Sequence, residues 1–132
     1  GVIAAVNSLG APNSQLINCK VKGTIRFRSP MYIVDSEIHC TRMWIGMETP
    51  EGPVTENILF SNSKITFDND TEKFLHIVTG NNQSRKIERG TLTADEAYHV
   101  KNIIFRNCEI DRNAIELDKV SELCNDVIIF EN

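Results

Sequence analysis

The chain has 132 residues, of which 41% are hydrophobic, and it carries a formal net charge of −4. This length suits one domain with one continuous core, and the sequence contains no apolar run of the roughly 18 residues that a membrane span needs. The acidic balance argues against duplex nucleic acid, which requires a basic face to displace phosphate counterions. We therefore expect a single domain over residues 1–132 with neither a nucleic acid nor a membrane partner, and its compartment stays unknown.

A short pattern recurs four times along the chain: Asn or Asp, then Cys or Ser, then a charged residue, then Val or Ile. The four copies begin at Asn18, Asp35, Asn62 and Asn107. A fifth apolar run, 127–130, ends shortly before the matching Asn132. Repeats joined by connections of variable length are typical of a β-solenoid, in which each repeat stacks on the next. We predict about five coils, with residues 1–15 as a first partial coil.

Each copy follows a short apolar run, such as 58–60, whose β-branched and aromatic residues favour a first strand. The Asn or Asp then forms a corner, because these residues tolerate the left-handed backbone that a sharp bend requires. A very short second strand follows, with the Val or Ile buried and the charged residue exposed. The exposed residues alternate in charge between repeats, which predicts a ladder of ion pairs. Its members are Lys20, Glu37, Lys64 and Glu109.

A third strand is predicted after a short loop in each repeat, at 25–28, 43–46, 75–78 and 115–118. Period-two alternation turns the first residue of each segment inward and the second and fourth outward. The first outward row is Arg26, Trp44, His76 and Glu116. The second outward row is Arg28, Gly46, Val78 and Asp118.

The connection after the third strand varies in length and is longest as an inserted loop at 79–101. Such long loops in compact domains are usually functional or disordered. Within it, residues 93–96 have the form of a capping box, which predicts a short helix, and the preceding segment 80–86 is expected to be mobile. His39 and His99 are expected to be surface residues.

Cys19 and Cys108 occupy the position that serine holds in the other two repeats, so all four side chains are predicted to share one small-residue column. A strand spacing of ~4.8 Å per repeat then separates these two thiols too far for a disulfide. Cys40 and Cys124 are expected in different corner loops, and neither has the CxxC or Cys/His spacing of a zinc site. We expect four free thiols, no metal site and no cofactor.

The Asn corner, the Ser/Cys column and the three strands per coil resemble the pectate-lyase-like superfamily of right-handed parallel β-helices. This superfamily includes pectate lyases, polygalacturonases, alginate-modifying epimerases and many phage tailspikes. The resemblance covers about residues 16–132. It implies an all-β fold, a right-handed single-stranded parallel β-helix of about five coils with three short strands per coil.

Enzymes of this superfamily have eight or more coils, so the chain is expected to be a partial stack. Missing flanking sequence or contacts in a homotrimer would then cap its ends. The Asn-Thr-Asp, Asp-Asp, His-Gly and Arg-Ile-Lys signatures of polygalacturonase-like hydrolases have no match here. No catalytic residue is therefore transferred from them.

Sugar sites in this superfamily usually lie over the third strand and its flanking loops. Arginine can pair with a uronate or sialate carboxylate, and tryptophan can stack on a sugar ring. The candidate substrate-binding residues are Arg26, Trp44 and Arg28. Two carboxyl groups with a nearby histidine can move protons at a glycosidic bond. The candidate catalytic residues are Glu116, Asp118 and His76.

The predicted function is a carbohydrate-interacting β-helix module of a phage-tailspike-like protein that binds or depolymerises a polysaccharide, with an acidic glycan as one candidate ligand. Whether it is an enzyme stays open; if it is, it would be a polysaccharide hydrolase or lyase. The alternative is a purely structural or assembly β-helix of a larger or oligomeric protein. An accessible Trp44 favours the first hypothesis, and burial of the same face between chains favours the second.

Overall fold

The computed structural model describes residues 2–3, 14–27, 31–46, 56–68, 73, 75–78, 83–93 and 99–132. These residues are mostly in β-strands, and all the pairings between the strands are parallel. The all-β class is confirmed at this level. In the part of the chain described, no helix is long and apolar enough to cross a membrane.

The strands are short and follow one another with few helices between them. In chain order they are β1 (Val2–Ile3), β2 (Ser14–Ile17), β3 (Lys20–Phe27), β4 (Met31–Val34), β5 (Glu37–Gly46), β6 (Glu56–Ser61), β7 (Lys64–Phe67), β8 (Leu75–Val78), β9 (Lys101–Arg106), β10 (Ile115–Leu117) and β11 (Ile128–Glu131). The helical segments are α1 (Gln83–Glu88), a 3₁₀ turn at Arg112–Ala114 and α2 (Lys119–Glu122).

The strands form two sheets, and the chain crosses from one sheet to the other after every strand except β7. The first sheet has the order β1-β3-β5-β8-β10, with β7 also paired to β5, and the second has the order β2-β4-β6-β9-β11. Each strand therefore pairs with its counterpart in the next repeat. The predicted alignment of the third-strand segments is confirmed as pairing register, because Ile25, Met43, Leu75 and Ile115 are successive partners.

The four predicted corner residues all adopt the left-handed conformation. Their φ angles are 54° at Asn18, 51° at Asp35, 50° at Asn62 and 53° at Asn107. The last two also stack, since the Asn107 amide donates a 2.7 Å hydrogen bond from Nδ2 to Asn62 Oδ1. The corner prediction is confirmed.

Two further asparagines, which were not predicted as corners, form a second left-handed pair. Asn57 and Asn102 have φ angles of 60° and 58°. The Asn102 amide donates from Nδ2 to Asn57 Oδ1 at 3.0 Å. In the sequence, each of these asparagines precedes an apolar run, one in β6 and one in β9. Only two repeats have this asparagine, so it does not stand out as a recurring pattern.

The small-residue column is confirmed by its hydrogen bonds. The Cys19 amide donates to Ser36 Oγ, and the Ser36 amide donates to Ser63 Oγ, both at 3.2 Å. Each of the four side chains donates back to the carbonyl two residues earlier, at 2.9 to 3.4 Å. All four cysteines of the chain are free thiols. Burial raises the pKa of the Cys108 thiol.

One hydrophobic core joins inward side chains of both sheets. Phe27 of the first sheet meets Phe60 of the second edge-on, with ring centroids 5.5 Å apart. Phe60, Phe105 and Phe130 then stack along the second sheet at centroid distances of 4.7 and 5.4 Å. This aromatic column ties successive repeats together beneath the second sheet.

The prediction that a loop separates the second strand from the third is wrong for the first two repeats. β3 and β5 each run through both positions, and only a register shift between Gly23 and Thr24 marks the expected loop. Cys40 consequently lies inside β5 and is fully buried, not in a corner loop. Burial, with a smaller contribution from nearby Asp68, raises the pKa of Cys40 to about 12.

The inserted segment contains α1, whose first four residues fall in the stretch 80–86 that was expected to be mobile. Residues 94–96 of the predicted capping box lie outside the described residues. Glu88 of α1 pairs with Lys119 of α2. The hydrogen bond and charge of Lys119 hold the pKa of Glu88 below its usual range. This pair links the insertion to the last repeat.

Candidate functional site

The first outward row is brought together as predicted. Arg26, Trp44, His76 and Glu116 are successive register partners on β3, β5, β8 and β10. Period-two alternation turns them away from the core, because their neighbours along each strand point inward. The row runs across four strands of the first sheet.

Neighbouring side chains in the row touch one another. The rings of Trp44 and His76 stack with centroids 4.5 Å apart at an interplanar angle of 23°. Arg26 Cζ lies 5.8 Å from the Trp44 centroid, and His76 Nδ1 lies 3.3 Å from Glu116 Oε1. Because Arg26 and His76 come from strands on opposite sides of β5, both indole faces lie against neighbouring side chains.

Arg42 also belongs to this site, although it was not among the predicted site residues. Its Cζ also lies 5.8 Å from the Trp44 centroid, and its side chain is exposed. The residue precedes Trp44 by two positions on β5, so alternation places both on the same side. If β5 had been predicted as one continuous strand, Arg42 would have been included in the outward row. Two guanidinium groups against one indole give the site cationic character.

His76 is largely enclosed, with 16% of its side chain exposed. Its Nδ1 faces Glu116, whereas Nε2 is buried and finds no hydrogen-bond partner among the described residues. A buried polar atom without a partner costs about 1–3 kcal/mol, so such atoms in native proteins usually meet a water or a ligand. Nε2 of His76 is therefore the atom of the row that could still form a hydrogen bond with a ligand or a water.

The prediction that the second row faces outward is wrong at Gly46 and Val78, which are buried. A Cβ on Gly46 would lie 1.9 Å from the Val78 carbonyl oxygen and 3.2 Å from Val100 Cγ2. The chain therefore returns over this position at Val100 and covers it. Arg28, the first member of that row, lies outside the described residues.

Asp118, a candidate catalytic residue, lies at the start of α2. Its Oδ1 accepts a 2.9 Å hydrogen bond from the Ser121 amide, which makes it the N-cap of this helix. Capping by Asp is a common structural role. Glu116, the other carboxylate, is 58% exposed and faces His76.

The charge ladder beside the row is confirmed. Lys20 Nζ lies 4.0 Å from Glu37 Oε2, and Lys64 Nζ lies 3.7 Å from Glu109 Oε2. Two shallow grooves of about 430 and 380 Å³ lie over this ladder, and Trp44 lines neither.

His39 and His99 are only partly exposed, and each pairs with a carboxylate of another repeat. His39 bonds to Thr66 Oγ1 at 2.7 Å through Nδ1 and to Asp68 through Nε2. Hydrogen bonds from Thr41 and then His39 hold the pKa of Asp68 below its usual range. His99 Nε2 lies 2.7 Å from Asp126 Oδ1.

Comparisons with protein-family models, with curated proteins and with solved structures gave no match for this chain. Hypotheses about its function therefore depend on the geometry of its own residues.

Proposed function

We propose that the chain is part of a right-handed parallel β-helix of pectate-lyase-like type, and that the first outward row binds an acidic saccharide. The proposed helix accounts for three features described above. These are the alternation between two parallel sheets, the left-handed corner asparagines, and the pairing of each strand with its counterpart one repeat away.

The observation that carries the binding proposal is the buried Nε2 of His76 without a partner among the described residues. This nitrogen sits in the middle of a row whose other members are cationic, aromatic or anionic. A hydroxyl or carboxylate of a ligand would supply the missing hydrogen bond. The same ligand would remain in reach of the row on neighbouring strands.

The ligand class follows from the charges around Trp44. Arg26 and Arg42 both approach the indole ring, in a protein whose overall charge is −4. A local pair of guanidinium groups favours a carboxylate-bearing ligand, because arginine can bind a carboxylate through two parallel hydrogen bonds. Uronate and sialate polymers carry such groups.

Binding is better supported than depolymerisation. Glycoside hydrolysis usually employs two carboxyl groups on either side of the scissile bond. Here Glu116 is engaged by His76, and Asp118 is engaged as the cap of α2. A hydrolase or lyase activity of Glu116, Asp118 and His76 therefore has less support than a binding role.

The test is isothermal titration calorimetry of the protein with uronate and sialate oligosaccharides. Trp44→Ala and Arg42→Ala should each weaken binding about tenfold or more, since the first removes the ring that positions Arg26 and Arg42 and the second removes one charge of the site. Arg106→Ala is the matched control, because Arg106 lies on the second sheet and pairs with Glu131. Equal losses in all three variants would contradict a site at the row.

The second candidate is a structural or assembly β-helix, favoured by the mutual contacts within the row. Both faces of Trp44 are occupied by neighbours, and Glu116 has a partner, so the row also stabilises the stack itself. Absence of binding to every acidic oligosaccharide, together with loss of stability in Trp44→Ala, would favour this candidate.

A further inference from the structure

A second cluster of reactive side chains, none of them a member of the outward row, lies where the inserted segment rejoins the second sheet. It consists of His99, Cys124 and Asp126, each of which offers one donor atom, and these atoms all lie within 4.8 Å of one another. His99 Nε2 and Asp126 Oδ1 are already in contact at 2.7 Å. The cluster was invisible to spacing rules, because His99 and Asp126 are 27 residues apart.

The three side chains are held by rigid neighbours. Val100, which follows His99, is completely buried, and Val127, which follows Asp126, is 2% exposed. The Asp126 carbonyl also accepts a 2.8 Å hydrogen bond from the Asn102 amide of β9. Cys124 packs against the core, and its thiol donates to the Val120 carbonyl at 3.3 Å. The three donor atoms are therefore brought together by chain segments whose neighbouring residues are packed in or against the core.

From this arrangement we infer that His99, Cys124 and Asp126 bind a divalent transition metal of the zinc class. Imidazole nitrogen, thiolate sulfur and carboxylate oxygen are the donors that Zn²⁺ takes, whereas Ca²⁺ and Mg²⁺ prefer oxygen alone. Tetrahedral coordination at zinc bond lengths sets the donor atoms about 3.3–3.6 Å apart. Donor separations of 2.7 Å for the His–Asp pair and at most 4.8 Å for the others require small side-chain shifts to reach this geometry.

Binding would change the protonation of the site in a defined way. The Cys124 thiol would release its proton to solvent and coordinate as thiolate, and its hydrogen bond to the Val120 carbonyl would be lost. The hydrogen bond between His99 Nε2 and Asp126 Oδ1 would be replaced by two bonds to the metal, and the proton held between these atoms would move to His99 Nδ1 or leave to solvent. Three protein donors leave a fourth position for water, as in exchangeable or catalytic zinc sites. Acidification should weaken binding, because protons compete for the same donors.

The test uses the full chain with Zn²⁺ alone, and with Co²⁺ as a spectroscopic probe. One equivalent of Zn²⁺ should bind in calorimetry, and Co²⁺ should give a thiolate-to-metal charge-transfer band. Cys124→Ser should abolish this band, and His99→Gln and Asp126→Asn should weaken Zn²⁺ binding about tenfold or more. Cys108→Ser and His39→Gln are matched controls in which both signals should persist.

A measurement on the unaltered protein covers the case in which a variant fails to fold. Zn²⁺ should protect Cys124 from alkylation by iodoacetamide while leaving alkylation of Cys19 unchanged, as read by peptide mass spectrometry. Failure to bind Zn²⁺ in a saturable way, equal protection of both thiols, or a charge-transfer band that survives in Cys124→Ser would overturn the inference. Saccharide binding at the outward row involves none of these three residues, so the two tests succeed or fail separately.

Discussion

The hydroxyl of Ser63 is a buried hydrogen-bonding centre shared by two repeats. It accepts from the Ser36 amide and donates to the Ser61 carbonyl. Ser63→Ala should lower the free energy of unfolding by about 1–3 kcal/mol, because the Ser36 amide loses its acceptor in a buried place. Urea unfolding followed by circular dichroism measures this change.

The column provides its own control, since cysteine stands at the equivalent position in two repeats. Ser63→Cys keeps a side chain of similar shape with a weak donor and acceptor, so it should lose less stability than Ser63→Ala. If the two variants unfold at the same urea concentration as the unaltered protein, the column has no role in stability.

The bonds around Asp68 predict a specific pH dependence. Because Thr41 and His39 hold the folded-state pKa of Asp68 below its ordinary value, its contribution is present above the ordinary carboxyl pKa of about 3.9. That contribution is lost as the pH falls through the folded-state pKa. Asp68→Asn should therefore be less stable than the unaltered protein at neutral pH, and the difference should shrink below about pH 4.

Thermal unfolding at a series of pH values measures the effect of Asp68→Asn. Asp35→Asn is a matched control for the loss of one carboxylate, since asparagine occupies the same corner in the other repeats. A stability difference for Asp68→Asn that stays constant down to pH 2 would contradict the linkage.

At this scale the sequence was informative wherever a residue type recurs at the same offset. The corner residues and the Ser/Cys column were predicted because four repeats carry them. The pair of Asn57 and Asn102 was missed, since two occurrences do not make a visible pattern. The contacts of His39 and His99 were missed for another reason: their carboxylate partners, Asp68 and Asp126, are 29 and 27 residues distant and lie outside the short pattern that recurs.

At the scale of elements, the contact between β5 and β8 depends on Gly46. A side chain there would overlap the Val78 carbonyl oxygen, and its φ of +107° is unfavourable for other residues. Gly46→Ala should combine strain of the left-handed backbone, about 1–2 kcal/mol, with a steric cost of about 1–3 kcal/mol. Chemical denaturation measures the sum.

Gly90 is the matched control, because it also has a positive φ, +75°, but its Cβ would meet nothing within 4 Å. Gly90→Ala should show the backbone strain alone. Equal destabilisation by the two substitutions would mean that β8 moves aside without cost, and the close approach would then have no energetic role.

The same contact explains where the prediction of the site failed. Period-two alternation placed Gly46 and Val78 outward, whereas both are buried. Gly46 is covered by Val100, which lies at the end of an insertion whose path no periodicity encodes. The first row was predicted correctly as a set of neighbours, whereas Arg42 was lost because β5 was divided into two strands.

At the scale of the whole molecule, Cys40 can report on global opening. It is fully buried in β5, which pairs with β3, β7 and β8, and its pKa is raised to about 12. Its alkylation by iodoacetamide should therefore follow unfolding of the entire sheet, since the thiolate is the reactive form. Cys19, which is half-buried, should react first.

Pulsed alkylation with peptide mass spectrometry across a urea series would measure these rates. The rate at Cys40 should rise along the same transition as the loss of the circular dichroism signal. Labelling of Cys40 at the rate of Cys19 in the absence of urea would show that the first sheet opens locally around β5.

The alternation of the chain between two sheets also has a kinetic consequence. Paired positions are separated by 17, 27, 45 and 25 residues in successive repeats. Closing the 45-residue interval costs about 0.9 kcal/mol more entropy than closing the 17-residue one, since each doubling of length adds about 0.6 kcal/mol. Refolding should therefore be slow, as in other proteins with few local contacts, and should start among the early repeats. The joint that carries the insertion, between β6 and β9, would then be the last to close.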